Sequence, residues 1–171
     1  RLVDSPCQHV TRVHNEAKKY LNEGKKIILV GHRGHQEVKG TTGQGDMELM
    51  DDQEDPQPPD WDSDTEVAVL TQTTLSVDDT AAMVDRISSK FSNVTIRNDI
   101  CYATTNRQSA VKELAAMVEV VLVVGSQTSS NCRRLREVAE RSGVPSYLIN
   151  GPDELEMSWF NGISRVGVSS G

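Results

Sequence analysis

The stretch Lys26-Ile27-Ile28-Leu29-Val30-Gly31-His32-Arg33-Gly34-His35-Gln36-Glu37-Val38-Lys39-Gly40-Thr41-Thr42-Gly43-Gln44 decides the fold. Its opening run, Lys26 to Val30, is apolar and rich in β-branched residues, as expected of a strand buried on both faces. The run breaks at Gly31 into a polar, Gly-rich stretch, which reads as a loop at the strand's C-terminal end. That loop carries two histidines and a carboxylate. In an open parallel sheet, ligands bind outside the C-terminal ends of the strands.

The same pattern repeats outward from this stretch. Upstream, Val13, Ala17, Tyr20 and Leu21 give a helical apolar face over about Val10 to Asn22, closed by Gly24. Downstream, Met47 to Met50 is a candidate short strand, and Val67 to Leu70 a strong one. Ser76 with Asp79 three residues on is a weak capping box, opening a helix with Ala82, Val84, Ile87 and Phe91. Strand Val94 to Arg97 follows. The next expected elements are a helix over about Arg107 to Met117, a strand over Val118 to Val124 and a helix over Cys132 to Arg141. Strand Val144 to Ile149, a short helix Asp153 to Phe160 and strand Arg165 to Val168 complete the chain. Alternating strands and helices predict an α/β fold with parallel sheets. The second strand-helix series begins near Asp99 to Cys101, which predicts two similar units, 1–99 and 100–171.

Composition limits the functions available. A chain of 171 residues with 36% hydrophobic content can bury a substantial core. No apolar run approaches the roughly 20 residues of a membrane helix, and Arg1 to Pro6 shows no apolar signal region. The net charge of -7 argues against non-specific nucleic-acid binding. Much of that charge lies in 46–66, which holds acids, Pro56, Pro58 and Pro59 but no Lys or Arg. From Asp51 onward it reads as a solvated surface loop, with Trp61 as a possible anchor. The three cysteines, Cys7, Cys101 and Cys132, are odd in number and widely spaced. They do not form a secreted disulfide framework, so reduced, cytoplasmic thiols are expected.

Four strand ends break into polar loops, Gly31 to Gln44, Thr71 to Ser76, Cys101 to Asn106 and Gly125 to Asn131. Right-handed crossovers put such ends on one edge of each sheet. Ser126 to Asn131 precedes a helix, so its hydroxyls and the first N–H groups suit a phosphate or diphosphate. Ordinary capping by Ser130 or Asn131 is the other reading, and capping is also the simpler reading of Thr104-Thr105-Asn106. His35 and Glu37, two apart in an extended loop, share a side and could bind an anion and relay a proton. A satisfied polar loop is the alternative. His32 and His35 do not have the spacing of a helical metal-protease pair. Cys7 and Cys101 each sit near a turn; single cysteines are more often small buried residues than ligands, and their spacing matches none of the ferredoxin runs that hold iron-sulfur clusters.

Taken together the loops have a wider likeness. Cys7-x-x-Val10-Thr11-x-Val13-His14, Gly31-His32-x-Gly34-His35-x-Glu37-Val38-x-Gly40-Thr41 and Thr71-Gln72-Thr73-Thr74-Leu75-Ser76 are followed in order by two more motifs. These are Asp99-Ile100-Cys101-Tyr102-Ala103-Thr104-Thr105-Asn106-Arg107-Gln108 and Val123-Val124-Gly125-Ser126-x-x-Ser129-Ser130-Asn131. The series resembles the 4-hydroxy-3-methylbut-2-enyl diphosphate reductases, the LytB family.

The resemblance implies two of three α/β units arranged around a central 4Fe-4S cluster, and reductive removal of the substrate hydroxyl in isoprenoid biosynthesis. It implies cluster ligation by Cys7 and Cys101, substrate binding by His35, and a proton relay through Glu37 with Thr73 ordering substrate and water. Ser129, Ser130 and Asn131 would clamp the diphosphate, and ferredoxin or flavodoxin would donate electrons. It also implies that a first cysteine belongs to a further N-terminal unit, and that a last clamp serine follows Gly171. Cys132 stands where the family has a small polar residue, and reads as a helix-start thiol of lowered pKa. A non-catalytic diphosphate-binding module is the alternative function, and a metal hydrolase using His32 and His35 a more distant one.

Overall fold

A computed structural model describes residues 7–54, 56–97 and 99–171. Arg1 to Pro6, read above for a signal sequence, lie outside the described residues, as do Asp55 in the acidic loop and Asn98 after the third strand. The chain divides into two compact units, with the boundary in sequence between Cys101 and Tyr102.

In the first unit α1 (Gln8–Asn22) leads to β1 (Lys26–Val30), α2 (Gln36–Thr42) and β2 (Glu48–Met50). Then come β3 (Glu66–Thr71), α3 (Val77–Lys90) and β4 (Asn93–Ile96). The four strands are parallel in the order β2-β1-β3-β4. Both faces of the sheet are covered, which is why β1 and β3 are almost continuously apolar. On one face Ile28, Val30, Val67 and Val69 pack with Leu75 and with Met83, Ile87 and Phe91 around α3. On the other, Ile27, Leu29, Ala68 and Leu70 meet Val13, Ala17 and Tyr20 of α1 and Val38 of α2.

The second unit runs α4 (Tyr102–Ala115), β5 (Val120–Val124), α5 (Ser130–Arg141), β6 (Ser146–Ile149) and β7 (Val166–Ser170). Its parallel sheet has the order β6-β5-β7. Val121 and Val123 face Val111, Ala115, Leu135 and Val138. The opposite face, Val120, Leu122 and Ile149, is packed by Tyr147, Trp159 and Phe160, with the Tyr147 and Trp159 rings stacked at 3.9 Å.

The parallel α/β architecture is as expected; several local readings change. Gly31 to Gln44 is not one loop: a short turn is followed by α2, because His35 caps the helix and Val38 and Thr41 bury one side of it. His35 and Glu37 are therefore related by a helix start and not by an extended loop. Helix α4 begins at Tyr102, so Thr104-Thr105-Asn106 is helix and not a capping loop. The buried stripe of α4 starts with polar Thr104 and Gln108 before Val111 and Ala115, and those polar residues hide its period. Asp153 to Phe160 forms two short 3-10 turns, Pro152–Glu154 and Met157–Phe160. Asp51 is buried, not solvated, at 6% exposure.

Trp61 does anchor the acidic loop. It packs against the α3 face of the core, 6.1 Å from the Phe91 ring, with the Lys26 ammonium 5.8 Å from its centroid. Trp61→Ala is expected to cost about 1–2 kcal/mol in chemical denaturation and to make residues 51–65 the first site cut by an acid-specific protease. An unchanged cleavage pattern would show that the loop is held by other contacts.

Candidate functional site

Strands β1 and β3 end side by side, with Val30 opposite Thr71. The chain leaving β1 turns at Gly34, which has φ +85° and so occupies the left-handed region that glycine enters without a Cβ clash. His35 then caps α2: its Nδ1 accepts the Glu37 N–H at 3.3 Å. With Nδ1 accepting, the proton of the neutral ring sits on Nε2, a donor suited to an oxygen ligand.

Glu37 lies in the first turn of α2 and its carboxylate reaches across to β3's exit. It accepts the Thr73 N–H at 2.9 Å and the Thr73 hydroxyl at 2.8 and 2.9 Å. Thr73 is only 5% exposed, so these bonds are shielded from competing water. The Thr73 carbonyl in turn accepts the Cys101 N–H at 3.1 Å. One residue thus anchors both the Glu37 carboxylate and the backbone of a candidate thiolate ligand.

Beside it Asp99 donates its N–H to Thr71 Oγ1 at 3.0 Å. Burial holds the Asp99 carboxyl above the usual carboxylate range, against the pull of the Arg97 guanidinium.

In the second unit Ser129 caps α5, accepting the Cys132 N–H at 3.3 Å. The cap is Ser129, not Ser130 or Asn131. Ser130 and Asn131 fall in the first helical turn, whose N–H groups have no partners within the helix. Asn131 Oδ1 is shielded from solvent without a hydrogen bond. A helix N-terminus with such a side chain suits an anion's oxygens.

Cys7 is the exposed residue preceding α1 and Cys101 is half-buried; no disulfide joins any cysteine. Cys132 is a core residue at 1% exposure. Its Sγ lies where a side chain on Gly125 would have to go, 2.5 Å from that ideal Cβ position. The expected activated thiol is instead a packing group, since reactivity needs access.

His32 faces two acids. Its Nδ1 is 2.5 Å from Asp52 Oδ1 and 3.8 Å from Asp51 Oδ1. The potential ligand atoms gathered around it belong to these two acids, and His35 is not among them. Two residues at the site were not singled out from sequence, Gln72 and Asp51. Gln72 Oε1 accepts the His32 N–H at 3.0 Å and Asp51 Oδ2 accepts the Arg33 N–H at 2.9 Å. Gln72 sat inside a recognised loop motif, and Asp51 was hidden among surface acids.

Two outcomes follow from burial. Alkylation followed by mass spectrometry should label Cys7 first, Cys101 more slowly, and Cys132 only after denaturant is added; early labelling of Cys132 would contradict its packing. The folded chain holds the Asp99 proton more tightly than the unfolded chain does. The associated stability is therefore complete below about pH 3.9 and is lost as pH rises through the raised folded value. Asp99→Asn should raise the melting temperature at pH 7, with the gain vanishing toward pH 4; a gain independent of pH would exclude the buried acid as its source.

Known proteins resemble this chain over its whole length. The LytB protein family matches residues 1–171. The 4-hydroxy-3-methylbut-2-enyl diphosphate reductase of Acinetobacter baumannii is 48% identical, covering 100% of this chain and 57% of its own length. That of Saccharophagus degradans is 46% identical, covering 100% of this chain and 58% of its own. The structure of the Plasmodium falciparum E-1-hydroxy-2-methyl-but-2-enyl-4-diphosphate reductase superposes with a TM-score of 0.91 at 29% identity, over 98% of this chain and 54% of that one. The chain thus spans about 57% of the length of the bacterial relatives it matches. With its whole length matched by the family, the chain belongs to the LytB proteins.

Proposed function

We propose that this chain is the part of a 4-hydroxy-3-methylbut-2-enyl diphosphate reductase that handles the substrate's diphosphate and the proton delivered to its hydroxyl. The overall change breaks the allylic C–O bond. Two electrons and two protons enter, the hydroxyl leaves as water, and isopentenyl or dimethylallyl diphosphate remains. The observation that carries this reading is the Glu37 carboxylate bonded to both the hydroxyl and the N–H of Thr73.

In that pair the Thr73 hydroxyl can give its proton to a leaving oxygen while taking one from protonated Glu37. His35 would donate from Nε2 to an oxygen of the substrate. Ser130 and Asn131, with the capping Ser129 ahead of them, would receive the diphosphate at the start of α5, where the helix dipole favours negative charge.

Cys7 and Cys101 are donors of the right kind for iron, but they are two where a 4Fe-4S cluster in this family needs three cysteines. Cys132, packed in the core of the second unit, does not supply the third. On this reading Cys7 and Cys101 would hold the cluster, the third thiolate coming from outside these residues. A bound cluster would supply the two electrons of the reduction. A small acidic or flavin-bearing electron carrier such as ferredoxin or flavodoxin would fit as donor. Among the described residues no helix is long and apolar enough to cross a membrane, and a cytoplasmic setting suits an oxygen-sensitive cluster. A non-catalytic diphosphate-binding module is the less favoured reading, because the relatives cited above carry the reductase name.

The test joins this chain to the N-terminal part of the Acinetobacter relative, reconstitutes it anaerobically with iron and sulfide, and supplies a chemical reductant. Turnover is expected, and a fully loaded but inert protein would defeat the reading. In the same background Glu37→Gln should retain substrate binding and lose roughly 100-fold or more in kcat. Unchanged kcat would remove Glu37 from the proton path.

A further inference from the structure

The turn between β1 and α2 is tied down one N–H group at a time. Gly31 donates to the Met50 carbonyl at 3.0 Å. His32 donates to Gln72 Oε1 at 3.0 Å, and Arg33 to Asp51 Oδ2 at 2.9 Å. Gln72 and Asp51 are the first residues after β3 and β2, the two strands flanking β1.

Both clamping side chains are themselves fixed. Gln72 is 3% exposed; its backbone N–H donates to Val30 and its Nε2 donates to Thr74 Oγ1 at 2.9 Å. Asp51 Oδ1 accepts the Gln53 N–H at 3.1 Å. Gly31 has no room for a side chain, because an ideal Cβ would lie 2.6 Å from Val38 Cγ2 and 3.2 Å from Gln72 Oε1. The turn is therefore closed on every side just before it delivers His35 and Glu37.

We propose that Gln72 and Asp51 are positioning residues, which set the Glu37–Thr73 pair by holding consecutive N–H groups of the turn that leads to it. The functional meaning rests on the reading of Glu37 and Thr73 given above; the clamp itself rests on the geometry. Strand pairing cannot do this work, since β1 ends at Val30 and the turn has left the sheet. Side chains from the neighbouring strand ends continue the bonding for two more residues. A displacement of about 1 Å at a reacting group can cost 100-fold in rate, so a turn that feeds a proton donor gains from such restraint.

The clamp is readable in this chain without turnover. The Thr73 amide, bonded to a carboxylate, reports the placement of Glu37 by its proton shift and its hydrogen exchange. Gln72→Met keeps the shape of the side chain and removes its acceptor. It should move the Thr73 amide upfield and speed its exchange roughly tenfold. Gln72→Glu keeps an acceptor for the His32 N–H and should restore the parent signal. Phe91→Leu, a core change at the far end of α3 from Thr73, should lower stability without moving the Thr73 amide.

A Thr73 amide unmoved in both Gln72→Met and Asp51→Ala would overturn the proposal. Should those variants fold poorly, the parent still decides. The His32, Arg33 and Thr73 amides must open together across a denaturant series, and independent opening would also overturn it. Turnover in the joined protein tests the reaction, and the amides test the clamp, so either can fail alone.

Discussion

The parallel pairing of β1 with β3 places Val30 opposite Thr71, and the two chains leave the sheet together. Both strands are buried on both faces, so a one-residue slip would exchange the side chains fitted to two different cores and misfit both at once. That packing fixes the register on which the site depends. The site inherits it: Gln72 and Thr73 follow β3 at the height where Gly31 to Arg33 follow β1. The Glu37–Thr73 bonds, worth about 1.5–3 kcal/mol where a charged group is involved, refine an alignment that the hydrophobic core has already set.

The two units solve the same local problem in the same way. In each, the first strand ends at a glycine, a cap follows four residues later, and the residue three beyond the cap packs back on the glycine. In the first unit these are Gly31, His35 and Val38; in the second, Gly125, Ser129 and Cys132. Cys132 is thereby the counterpart of Val38, which accounts for its burial. The repetition also explains why both candidate anion-binding elements sit at a helix start just beyond a first strand. That place offers unpaired N–H groups and a favourable dipole, and a capping side chain there is already oriented.

Charge is distributed with the same economy. The acids of the 46–66 stretch include two kinds of residue that composition does not separate. Asp51 and Asp52 turn inward to the His32 and Arg33 turn, whereas the later ones follow a loop held by Trp61. A buried carboxylate survives at Asp51 because two backbone N–H groups satisfy it.

The class of fold, most of the strands and the loops that carry chemistry are legible in the residues alone. Strands buried on both faces must be continuous apolar runs, and those runs end abruptly where polar function begins. The sequence also showed Ser76 as a cap, because caps are local in sequence. It obscured α2, where Gly40 interrupts a short helix held by its cap, and the start of α4, where Thr104 and Gln108 take core positions without being apolar. The pairing of the site residues comes from the fold. Glu37 and Thr73 are 36 residues apart, His32 and Gln72 are 40 apart, and Arg33 and Asp51 are 18 apart. No local period encodes such pairs, because they exist only once β1, β2 and β3 lie side by side in register.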